Sequence, residues 1–125
     1  MSESYPNLDL DLSLLNEIAD GSDEFIIETI DMFLQQTPEI LTLIAEGLEA
    51  QDWAATASSA HKLKPTLGFF GMLNTQALIQ YVESSCKAGG ENPGEIIAKF
   101  NEAKASIEAN TSTLLNIKAE AAARI

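Results

Sequence analysis

No lysine or arginine occurs before position 62 of this 125-residue chain, whereas residues 1–60 carry 13 carboxylates. All seven basic residues follow, and the net charge is −12. So acidic a surface argues against nucleic acid and anionic membranes as partners, because both select basic proteins. There is one cysteine, Cys86, so no internal disulfide can form, which agrees with a reducing compartment. One histidine and one cysteine, 25 residues apart, do not make a metal-ligand set. Neither a G-x-x-x-x-G-K-[ST] nor a G-x-G-x-x-G loop is present, so nucleotide binding has no support. No apolar run approaches the ~18–20 residues needed to span a bilayer. The start, MSESYPNLDLD, lacks the basic-then-apolar order of a secretory signal. A cytoplasmic location is expected, for a small separate protein or a domain of a larger one, and the chain is expected to be a monomer.

Glycine and proline are few and spaced, which suits helices joined by short turns. Leu8 to Ala19 reads as a short first helix that Asp9 or Asp11 can cap. Ser22, with Asp23 and Glu24 behind it, starts a second helix whose apolar face is Phe25, Ile26, Ile30, Phe33 and Leu34. Thr37-Pro38-Glu39 reads as a restart, with a capping hydroxyl, proline at the first helical position and an acid. The third helix then carries Ile40, Leu41, Ile44 and Leu48 inward. Asp52 caps the fourth, whose stripe is Trp53, Ala57, Ala60, Leu63, Leu67 and Phe70. A fifth helix is expected from about Thr75 to Ala88, packing through Ala77, Leu78, Tyr81 and Val82. Asn92-Pro93-Gly94-Glu95 starts the last, with Glu95 placed for a capping box. That helix carries Ile96, Ile97, Phe100, Ala103, Ile107, Thr111, Leu114 and Leu115, and frays into AEAAARI. No β-period stretch is apparent. The expected fold is an all-α antiparallel four-helix bundle with one or two short additional N-terminal helices. The expected limits are a tail at 1–6, the bundle over 7–118 and a tail at 119–125.

The residues with chemistry lie between Ser58 and Met72. His61 is one residue past the core position Ala60, about 100° around the helix, and so stands at the edge of the exposed face. Lys64, Pro65 and Gly68 share its face, and Lys62 adjoins it. An ammonium beside the ring, with a compact proline and glycine below it, leaves the imidazole open to a partner. Neutral imidazole is a nucleophile near pH 7, and a phosphoryl group on it would gain from a nearby lysine. Pro65 removes the hydrogen bond to the His61 carbonyl and predicts a local kink.

Ala60-His61-Lys62-Leu63-Lys64, followed by Gly71, matches the pattern A-H-x-L-K-[G]-[S]-x-x-x-x-G. With the acid-rich helix, the Gln-Thr-Pro turn and the Asp-Trp start upstream, the chain resembles a histidine-containing phosphotransfer (HPt) domain over roughly residues 7 to 115. The resemblance implies a carrier in a two-component phosphorelay rather than an enzyme. His61 would accept a phosphoryl group from the phospho-aspartate of a response-regulator receiver domain and pass it to another receiver. Lys64 matches the lysine that supports the phosphoryl group, and Gly71 the glycine that ends the motif for close helix packing. Lys87 is a candidate second cation from the next helix. Pro65 stands where glycine is commoner, and Thr66 replaces serine. Lys62, Pro65, Gly68, Gly71 and the exposed pair Phe69 and Met72 would form the docking surface, whereas Leu67 and Phe70 belong to the core. The implied partners are receiver domains and a hybrid sensor histidine kinase. No cofactor is expected in this chain, since the receiver brings its magnesium. The alternative is an acidic helical interaction module that is never phosphorylated, and a third reading is an HPt fold that docks receivers but transfers poorly because of Pro65.

Overall fold

The computed structural model describes residues 8–125. Five helices follow in order: α1 (Ser13–Ala19), α2 (Asp23–Ala50), α3 (Trp53–Phe69), α4 (Leu73–Lys87) and α5 (Pro93–Ala123). Helices α2 to α5 form the four-helix bundle, with α2 against α3, α3 against α4, α4 against α5, and α5 closing back on α2. The short loops between them make sequence neighbours antiparallel. Helix α1 packs on α2. The expected tail at 1–6 lies outside the described residues. Among the described residues, no helix is long and apolar enough to cross a membrane.

Two expected helices are one. Helix α2 runs through Pro38 without a break. Its buried side chains, Ile26, Ile30, Phe33, Thr37, Leu41, Ile44 and Leu48, recur every three or four residues straight across the proline. Proline in a helix interior costs about 3 kcal/mol. Burying a single leucine or isoleucine contributes about 1.5–3 kcal/mol. Three such side chains beyond Pro38 share the stripe, so keeping it in register outweighs the lost hydrogen bond. The start is capped as expected, Ser22 Oγ accepting from the Phe25 N–H at 3.1 Å. The end turns at Gln51, in the left-handed region.

The first expected helix is shortened from the other side. Residues 8–12 are not helical. Leu8-Asp9-Leu10-Asp11-Leu12 alternates with period two, and Leu10 and Leu12 are buried. This segment crosses the α3–α4 turn, where the Asp11 N–H donates to the Phe70 carbonyl at 3.2 Å. Asp11 does serve α1, its Oδ1 accepting from the Ser13 N–H at 3.0 Å and the Ser13 hydroxyl at 2.6 Å. Those bonds hold its carboxyl below the usual range. Asp9 instead caps α4. Its carboxylate accepts from the N–H groups of Asn74, at 3.1 Å, and Thr75, at 2.6 Å, and from the Thr75 hydroxyl at 2.7 Å. Its carbonyl accepts from the side chain of the buried Asn110 at 2.9 Å.

Gly71 lies in that crossing, with φ +67°, and a Cβ there would overlap the Asp11 backbone. It serves a left-handed turn and the approach of the N-terminal segment, not the packing of two helices. Met72, expected to be exposed, is fully buried in the same corner. Phe70 is buried beside it, its ring centroid 4.9 Å from that of Phe33.

Helix α4 starts and ends a little earlier than expected, and its inward face differs. Ile79, Val82, Glu83 and Cys86 are buried, while Ala77 is exposed. Ile97 and Leu115, placed on the inward face of the last helix, are nearly half exposed. Asn92 and Glu95 meet side chain to side chain at 3.1 Å, and Asn92 accepts no capping bond. Helix α5 continues through the expected tail to Ala123. Ala121 is fully buried, and Arg124 pairs with Asp23 of α2 at 2.8 Å, so the last turns are tied to the bundle.

Candidate functional site

Helices α3 and α4 build the site together. Asp52 Oδ1 caps α3 by accepting from the Ala55 N–H at 3.1 Å. Ala57, Ala60, Leu63 and Leu67 anchor one face of α3, which fixes the rotation that puts His61 on the rim. Its side chain is 68% exposed. Helix α3 is continuous through Pro65 to Phe69. His61 stands between two shallow depressions. One is floored by Ala54, Ala57, Ser58, Glu83, Cys86 and Lys87, and the other by Lys64, Pro65, Leu73, Gln76, Ala77 and Gln80.

Glu83 is the centre of the site and was not singled out from the sequence. Its side chain is only 2% exposed, yet three nitrogen-bearing side chains converge on its carboxylate. His61 Nδ1 is 3.0 Å from Oε2, Lys87 Nζ is 2.7 Å from Oε2, and Lys64 Nζ is 2.6 Å from Oε1. Burial pushes the Glu83 carboxyl up. The hydrogen bonds from Lys64, Lys87 and His61 outweigh burial and hold it down at about 2. The carboxylate is therefore ionised near neutral pH and acts only as an acceptor. It draws the proton of a neutral imidazole to Nδ1 and leaves the lone pair on Nε2. With two ammonium groups and one carboxylate, the cluster carries a net charge of +1 on a protein of net charge −12.

The lysines are held in place. Lys64, expected as the phosphoryl-supporting cation, also donates to Gln80 Oε1 at 2.6 Å, and the Gln80 amide donates to Ser84 at 2.7 Å. Lys87, the candidate second cation, does reach the cluster, because it lies one turn beyond Glu83 on α4. A signal for Glu83 existed. Ile79, Val82, Glu83 and Cys86 are at helical spacing, and a carboxylate on a buried stripe needs partners. Taking Ala77 as inward rotated the expected helix and hid that stripe.

The expected docking residues divide. Lys62 and Pro65 are exposed on α3 beside His61, and Phe69 is half-buried. Gly68 is not an open platform. Gln76 lies over it and donates from Nε2 to the Lys64 carbonyl at 3.0 Å, a contact a Cβ at position 68 would obstruct. Gly71 and Met72 belong to the corner under the N-terminal segment, and Met72 presents no surface. Leu73, which was not singled out, is 63% exposed on the rim of the depression that His61 and Pro65 share. Burial pushes the Cys86 thiol up, which makes it a packed group rather than a second nucleophile.

The fold is a four-helix bundle that holds out one imidazole, with a buried carboxylate behind it and lysines around it. The Hpt domain model matches residues 28–115, which is 88 of the 125 residues, and the chain belongs to that family. Membership implies a histidine phosphotransfer role in phosphorelays, with receiver domains as partners, for a phosphocarrier rather than an enzyme. Neither the curated proteins nor the solved structures contain a match.

Proposed function

We propose that His61 is the phosphorylated residue of this Hpt domain, accepting the phosphoryl group of a receiver phospho-aspartate on Nε2 and passing it to a second receiver. The observation that carries the reading is the Glu83 carboxylate 3.0 Å from Nδ1 of the largely exposed His61 ring, which leaves Nε2 as the other nitrogen. The Nε2 lone pair attacks phosphorus. The N–P bond forms as the bond from phosphorus to the aspartyl oxygen breaks, and the aspartate leaves as a carboxylate. Nδ1 keeps its proton throughout, so the phosphorylated ring is cationic and faces an ionised acceptor. In the onward step a receiver carboxylate attacks phosphorus, and the ring departs as neutral imidazole. A ring without the Nδ1 proton would have to leave as an anion, so Glu83 serves both directions.

Lys64 and Lys87 offset the charge of the phosphoryl oxygens. The receiver supplies its acidic pocket and magnesium, and this chain supplies a positioned nucleophile. The test is incubation with phosphorylated receiver domains, following acid-labile, alkali-stable label. Because His61 is the only histidine, one variant, His61→Gln, separates it from the lysines, whose phosphoramidates share that stability. Label on the wild type and none on His61→Gln is expected. Label retained by His61→Gln overturns the assignment.

A further inference from the structure

Helices α2 and α5 enclose a groove of about 400 Å³ that the phosphotransfer site does not use. Its floor is apolar, with Phe33, Leu41 and Ile107 buried at the base and the exposed Ala45 leaving it open. Along α2 it reaches from Phe33 to Glu49, about 24 Å at 1.5 Å per residue. Pro38 lies within it and has no N–H for the carbonyl of Leu34, which also lines the groove. Its rim is charged. Glu46, Glu49 and Glu108 stand against Lys104, the one base among the described lining residues.

We infer that this groove docks a basic amphipathic helix from a partner protein. A cleft between two long helices, about four turns in length, has the shape a third helix fills with residues spaced i, i+3 and i+7. The apolar floor takes that helix's apolar face, and the three carboxylates take lysines or arginines on its flanks. A second copy of this chain is a poor occupant, because at −12 it would bring acid against acid. In a bundle closed in the order α2, α3, α4, α5, the α2–α5 groove lies opposite the α3–α4 face that carries His61. A helix docked there leaves the imidazole free, so the domain could be held on one face while it exchanges phosphate on the other. This inference does not depend on His61 being phosphorylated.

The probe is a 15-residue Leu/Lys amphipathic helical peptide, titrated into the isotope-labelled full chain, with a Leu/Glu peptide of the same pattern as control. Amide shifts are expected at residues 33–49 and 104–111 and not around His61. Ala45→Arg, which fills the groove and repels the peptide, should weaken binding at least tenfold. Glu46→Gln with Glu49→Gln should weaken it about threefold to tenfold, with reduced salt dependence. Glu24→Gln with Glu28→Gln, outside the groove, should change it less than twofold. Equal loss from the two glutamate pairs, no effect of Ala45→Arg, shifts spread over the whole acidic surface, or no binding of the basic peptide would each overturn the proposal.

Discussion

Glu83→Gln keeps the shape of the buried side chain and removes its charge, and it isolates the role given to that carboxylate. The amide oxygen can still accept from His61 Nδ1, so the contact survives as a neutral hydrogen bond. A hydrogen bond to a charged group contributes about 1.5–3 kcal/mol and a neutral one about 0.5–1.5 kcal/mol. The N-phosphorylated ring is cationic where the neutral imidazole is not, so relative to the neutral ring the loss of about 1–1.5 kcal/mol falls on the phosphorylated state. One effect opposes this, since the Glu83 charge also repels the phosphoryl oxygens. That repulsion acts across the ring, and Lys64 and Lys87, at 2.6 and 2.7 Å from the carboxylate, already offset it. The contact at 3.0 Å therefore dominates. The equilibrium between phospho-receiver and phosphorylated chain should shift about fivefold to tenfold toward the receiver. The assay is partition of label at fixed receiver concentration, with helicity checked by circular dichroism. Nitrogen NMR of the His61 ring supplies the second readout, since the Nδ1–H form should lose population in the variant. Label partition within twofold of wild type, together with an unchanged ring tautomer, would refute the mechanism.

Glu83 also makes stability depend on pH. Its folded value of about 2 lies below the ordinary 4.5, so its contribution is complete above about pH 4.5 and is lost as pH falls toward 2. That interval, at about 1.4 kcal/mol per pH unit, sets a ceiling of about 3.5 kcal/mol, and solvent around the exposed Lys87 brings it to about 1–2 kcal/mol. The difference in unfolding free energy between wild type and Glu83→Gln, from urea titrations, should shrink between pH 5 and pH 2. A difference constant over that range would contradict the assignment. Gly71→Ala meets both a left-handed backbone and the Asp11 carbonyl, and should cost about 2–4 kcal/mol in urea unfolding. A cost under 1 kcal/mol would mean that the N-terminal segment does not pack there. Asp9→Ala removes the cap of α4 and should cost about 1–2 kcal/mol. Hydrogen exchange should speed up at Asn74 and Thr75, whose N–H groups it caps, and unchanged protection there would refute the cap.

Local chemistry, which a sequence displays directly, determined most of the helices and the rim position of His61. Ser22 and Asp52 announce their helices because a cap acts within three residues, and the structure shows both bonds. His61 could be placed at the rim because its neighbour Ala60 belongs to an unambiguous stripe, Ala57-Ala60-Leu63-Leu67. Lys64 follows from the same helix, one turn on. Relations between distant segments stayed hidden. Pro38 carries a restart signal, and only the continuity of a stripe packed on other helices overrides it. Asp9 looks like the cap of its own neighbour and instead caps a helix 65 residues away. The alternation Leu8-Asp9-Leu10-Asp11-Leu12 is a period-two pattern too short to be recognised before its place across the α3–α4 turn is known. Glu83 is the deepest case. It is one carboxylate of 19, and its only local mark is its spacing with Ile79, Val82 and Cys86, which does not say what it meets. Burial makes it significant, because a carboxylate out of water must find donors. The packing of α4 on α3 supplies His61 and Lys64 from one helix and Lys87 from its own. The rim position of His61 was therefore legible in the sequence, whereas its carboxylate partner was decided by a contact across 22 residues of chain that exists only in the folded bundle.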